Sequence, residues 1–139
     1  MTAKEYLQQY GDAVEYEKQV REEYEEQNEL IDNIRSSLGG DGLPRGGDIS
    51  RVVEERAVAL AEKAQELKEA EIWAVSTRQQ IYRTIEMVPG VSREVLIERY
   101  VHLRKWREVA EAVNYSVSHT HVLEQRGLEF IQNLIDRKR

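Results

Sequence analysis

The stretch WREVAEAVNYSVSHTHVLEQRGL, Trp106 to Leu128, holds two short helical patterns broken by NYS. Nothing else in the chain has this grammar. A tight turn between two packed helices makes three demands. The first helix needs a small residue where the second crosses it, and Ala110 supplies one. The turn needs a residue that tolerates positive φ. Asn114 stands there, and asparagine is the best non-glycine choice for the left-handed conformation. The second helix needs a cap and then aliphatic residues at helical spacing. Ser116 is placed to cap, and Leu123, Leu128 and Ile131 return to a core. Val109 and Val113 are expected to meet them, with Leu96 and Tyr100 from the segment before. Thr120 stands where Val or Ile is the usual packing residue. Gly127 is unusual inside a helix and suits a close approach.

The flanking residues complete a three-helix unit. VPGVS, Val88 to Ser92, is a break: Pro89 cannot sit inside a helix and Ser92 is a good N-cap. SREVLIERYV then reads as a first helix, HLRK as a connector, WREVAEAV as a second helix, and the residues after NYS as a third.

Upstream the texture changes. Thr2 to Leu38 reads as one helix, with Thr2 and Glu5 forming a capping box. Ala3, Tyr6, Tyr10, Ala13, Val20, Tyr24, Ile31, Ile34 and Leu38 recur at heptad spacing, with Glu17 and Gln27 filling two polar places. Such a seam suits coiled-coil packing. Gly11 is a weak point, costing about 1 kcal/mol relative to Ala. GGDGLPRGGD, Gly39 to Asp48, ends this helix as a loop, and Asp48 or Ser50 is expected to cap the next. That second helix spans about Ile49 to Met87, with Val53, Leu60, Ala64, Leu67, Ala74, Ile81, Ile85 and Val88 on its apolar face and Trp73 as a packing anchor. The two form a hairpin whose seams face each other or a second copy, so a homo-oligomer, a dimer, is expected. The fold class is therefore all-α: a long, coiled-coil-like hairpin over residues 1–88 and a helix-turn-helix unit over residues 89–139.

Charge follows the same division. The net charge is −6. Residues 1–91 carry 11 Lys+Arg against 19 Asp+Glu, a net of −8, whereas residues 92–139 carry 9 against 7, a net of +2. An anionic partner therefore belongs with the C-terminal part. Cysteine is absent, which excludes disulfides and thiolate metal sites and fits a reducing, cytoplasmic setting. No apolar run approaches the roughly 18 residues of a membrane span, and MTAKEYLQQYGD lacks the apolar core of a signal peptide.

No catalytic constellation can be assembled, so the chain reads as a non-enzyme without cofactor or metal. REEYEEQNE, Arg21 to Glu29, has acids but no accompanying nucleophile or histidine, and fits a solvated helix face. GGDGLPRGG lacks the Lys-Ser/Thr of a phosphate loop. His119 and His121 are about 200° apart on a helix, which is wrong for shared ligation.

The pieces RYV, W-x-x-VA, NYS and the RGL step resemble region four of bacterial sigma factors, the module that reads a promoter element. The whole chain, with LPRGGDIS before its second long helix, resembles phage and prophage transcriptional regulators of the RinA/ArpU-like group. The resemblance implies a sequence-specific, double-stranded-DNA-binding regulator, a phage-type activator of late genes acting with host RNA polymerase. It implies that the third helix is the recognition helix, with Val117, Ser118, His121, Val122 and Gln125 toward base edges. Arg104, Lys105, Arg107 and Arg126 would then hold phosphates, joined by the tail Arg137, Lys138 and Arg139. The family usually has arginine on the recognition face, where this chain has Val, Ser and His. Two other readings share the architecture: a small-terminase-like DNA-packaging subunit, and a helical protein-interaction module that does not touch DNA.

Overall fold

The computed structural model describes residues 1–38 and 47–138. Five helices and no strand occur among them. Helix α1 is Ala3–Leu38 and α2 is Gly47–Glu86. Helix α3, Val91–Leu96, runs on into a widened last turn, Ile97–Val101, with i→i−5 bonding. Helix α4 is Trp106–Val113 and α5 is Val117–Arg137. Residues 39–46, where the loop and the first half of LPRGGDIS are expected, and Arg139 lie outside the described residues. Because α2 begins at Gly47, Asp48 and Ser50 fall inside its first turn rather than at its cap.

The start of α1 is the expected capping box. The Glu5 amide donates to Thr2 Oγ1 at 3.2 Å, and the Thr2 amide donates to Glu5 Oε2 at 3.3 Å. The chain divides into two compact units, one of residues 1–14 with 73–139 and the other of residues 15–72. In both, α1 and α2 run antiparallel and close their seams within one chain. In the second unit Val20, Ile31 and Ala70 are buried, and Tyr24, Gln27, Leu60, Ala64 and Leu67 are half-buried. Arg21 pairs with Glu17 and Glu71, and Lys63 reaches Glu23 at 2.8 Å and Glu66 at 2.9 Å. These pairs are exposed enough that solvent screening leaves each contributing little.

The first unit joins both ends of the hairpin to the three short helices. Its main core holds Ala3 and Leu7 of α1, Ile81 and Ile85 of α2, Val88, Leu96, Tyr100 and Val101, and Leu128 and Ile131 of α5. Tyr6 is packed against it, and its hydroxyl lies 3.0 Å from Thr84 Oγ1. A second cluster, Val95, Val109, Val113 and Leu123, fills the space between α3, α4 and α5. Leu96, Tyr100, Leu128 and Ile131 thus pack on the hairpin ends, not on α4. The compact units consequently part at residues 14/15 and 72/73, whereas composition and Pro89 point to 88/89. The first unit has two cores that share α3 and α5.

Two local readings change. Gly90, with φ +73°, takes the N-cap position of α3, while Ser92 is buried inside the helix. Glycine tolerates that backbone angle where serine is strained. Trp73, expected as a packing anchor, is 44 % exposed. It precedes seam residue Ala74 by one position, which turns it about 100° away from the seam.

Candidate nucleic-acid interface

The turn between α4 and α5 is set by three local choices. Asn114 adopts φ 61°, ψ 40°, the left-handed region where asparagine is tolerated. The Tyr115 amide then donates back to the Ala110 carbonyl at 3.2 Å, a carbonyl that also accepts from the Asn114 amide, and this closes the end of α4. Ser116 is extended, and its Oγ accepts from the His119 amide at 3.1 Å, capping α5. Thr120 is fully buried, and its hydroxyl donates to the Ser116 carbonyl at 2.8 Å. A buried threonine is acceptable here because its polar atom is bonded. Gly127 is buried, and a Cβ there would sit 2.7 Å from Leu96 Cδ1. Its missing side chain is what lets α5 lie close against α3.

This packing leaves one arc of α5 in solvent. Val117, Ser118, His121, Val122 and Gln125 are all exposed. At 100° per residue they span about 140° of the helix. Gln125 is the member nearest the hairpin, because it lines a hollow with Thr2, Ala3 and Lys4. Close by, Gln132 Oε1 accepts from the Ala3 amide at 2.8 Å. The start of α1 therefore bounds the open arc at its C-terminal end.

The four cations fall into two sets. Arg104, Lys105 and Arg107 are exposed and flank Trp106. Trp106 is half-buried against the second core cluster, and its ring lies 4.2 Å from that of His121. This contact ties the three cations to one margin of the arc. Arg126 stands at the other margin, lining a hollow with Val88, Pro89, Tyr115, His119 and Phe130. Part of Arg104 is already engaged, since its Nε is 3.0 Å from Glu98 Oε2. Among the described residues Lys105 and Arg107 pair with no carboxylate.

Several positioning residues had no clear signal in the sequence. Arg99 lies over Trp106, 4.7 Å from the ring centre, and donates to the Arg104 carbonyl at 2.8 Å. Glu98 reaches His102 at 3.2 Å as well as Arg104. Together they hold the connector, in which Leu103 takes φ 55°. Glu124, only 8 % exposed, accepts from the Tyr100 hydroxyl at 2.8 Å. Burial first, and then this carboxylate, push the Tyr100 phenol well above its ordinary pKa. His121 Nδ1 is 3.9 Å from the same carboxylate. Glu98–His102 and His121–Glu124 stand at helical spacings, i,i+4 and i,i+3, but no period marks Glu98–Arg104, Arg99–Arg104 or Tyr100–Glu124, which reach into the connector or across to another helix.

His119 and His121 face different neighbours. His119 packs on Tyr115 at 4.9 Å, whereas His121 packs on Trp106. Among the described residues no three His, Cys, Asp or Glu side chains are grouped to hold a metal ion. No helix among them is long and apolar enough to cross a membrane. No protein-family model matches the chain, and neither a curated protein nor a solved structure matches it.

Proposed function

We propose that α4, the Asn114 turn and α5 form a DNA-reading helix-turn-helix, and that the chain is a sequence-specific transcriptional regulator rather than an enzyme. The observation that carries this reading is the solvent-facing arc of α5 between two sets of cations. One set is Arg104, Lys105 and Arg107; the other is Arg126. A helix laid in a major groove meets base edges along its exposed face and phosphates at both margins. The acidic hairpin would be repelled by phosphate, which leaves the net-positive C-terminal part to approach it. The sigma-region-four resemblance extends the proposal to a phage-type activator of late genes, with bacterial RNA polymerase as protein partner and a cytoplasmic site of action. A dimer belongs to the same proposal. Because the hairpin seams close within one chain, its interface would use another surface.

A second reading has its own observation. The arc lacks arginine and carries exposed valines, which suits a protein-binding face that never touches DNA. Selection of bound sequences from random duplex DNA, with and without RNA polymerase, separates the two. Recovery of a shared sequence supports DNA reading. Failure to enrich any sequence under both conditions, beside salt-insensitive binding to polymerase, supports the interaction module.

A further inference from the structure

Two apolar side chains on the open arc have no role in the fold. Val117 is 42 % exposed and Val122 is 46 % exposed, and neither belongs to a core cluster. They do not serve helix formation either, since valine is a poorer helix former than Ala, Leu, Glu or Lys at a surface position. The two stand five residues apart, about 7.5 Å along the helix and at opposite edges of the arc. Ser118 and His121 lie between them.

The only apolar group on a base edge in the major groove is the thymine C5 methyl. Arginine or lysine would read guanine, and none stands among residues 117–122. Gln125, an amide able to read adenine, sits beside the start of α1. The arc therefore offers methyl-sized apolar surface at its edges and a hydroxyl and an imidazole between. Resting on the DNA-binding reading above, we infer that Val117 and Val122 each pack on the C5 methyl of a thymine, in different base pairs. The ligand is then an A·T-rich major groove with thymines at two fixed positions. The cations at both margins match phosphates on the two sides of such a groove.

The test replaces single thymines in a selected duplex by deoxyuridine, which removes the methyl and keeps the hydrogen-bonding edge. Binding should weaken roughly four-fold at each of two positions, the worth of one buried methyl-sized group. Val122→Ala, at an exposed position that leaves both cores intact, should abolish the deoxyuridine effect at one position and keep it at the other. Sequence-preferring binding that ignores every thymine-to-deoxyuridine change overturns the inference but leaves the DNA-reading function standing. So does a Val122→Ala protein that keeps both effects. Absence of any preferred duplex, with RNA polymerase present or not, removes the inference and the proposed function together. The exposed valines then belong to a protein interface.

Discussion

Single residues decide how closely the helices approach. Asn114, Ser116 and Gly127 were each legible in the sequence because each answers a demand that few residue types meet: positive φ, a cap, a missing Cβ. Thr120 was legible only as an oddity, since its hydroxyl partner is a carbonyl that no periodicity reveals. Gly127 gives the sharpest prediction. Gly127→Ala would place a methyl 2.7 Å from Cδ1 and 3.2 Å from Cγ of the fully buried Leu96. Leu96 is fully buried in the main core, so overpacking should cost about 1–3 kcal/mol. The gain in helix propensity, roughly 1 kcal/mol, offsets part of that. A lowered denaturation midpoint is expected, and a raised one would mean that α3 and α5 lie farther apart.

Helices carry the next level of specification. Their existence and order followed from period and punctuation: heptads in α1 and α2, Pro89 after α2, NYS before α5. Their ends were less legible. Gly90, at φ +73°, caps α3 in place of Ser92, and the last turn of α3 widens to i→i−5 bonding, a geometry that helical period does not signal. The cap on α5 is the exception, being local. Ser116→Ala removes the acceptor for the His119 amide and should cost about 1 kcal/mol. Urea denaturation of the variant measures it directly. An unchanged midpoint would show that α5 starts elsewhere and that the exposed arc is misplaced with it.

The assembly of helices was least visible. A heptad reading finds one seam on α1 and misses Leu7, which is fully buried outside that seam among Leu96, Tyr100, Leu128 and Ile131. It also misses Arg99, Glu98 and Glu124, which hold the connector and Tyr100 through pairings between elements. The consequence is testable. Deleting residues 1–88 strips Ala3, Leu7, Ile81, Ile85 and Val88 from the main core. A fragment of residues 89–139 should therefore lose cooperative thermal unfolding, while a sharp transition would show that the second cluster is core enough. In the proposed function α5 reads bases while the cations only position the protein. The most direct measurement is the ratio of affinities for a selected and a scrambled duplex, taken at two salt concentrations for the wild type, Arg107→Ala and Ser118→Ala. Arg107→Ala should weaken both duplexes alike and lower the salt slope by about one unit. Ser118→Ala should lower the ratio and leave the slope unchanged. A ratio of one for the wild type, or a ratio that Ser118→Ala does not alter and Arg107→Ala does, would contradict the account.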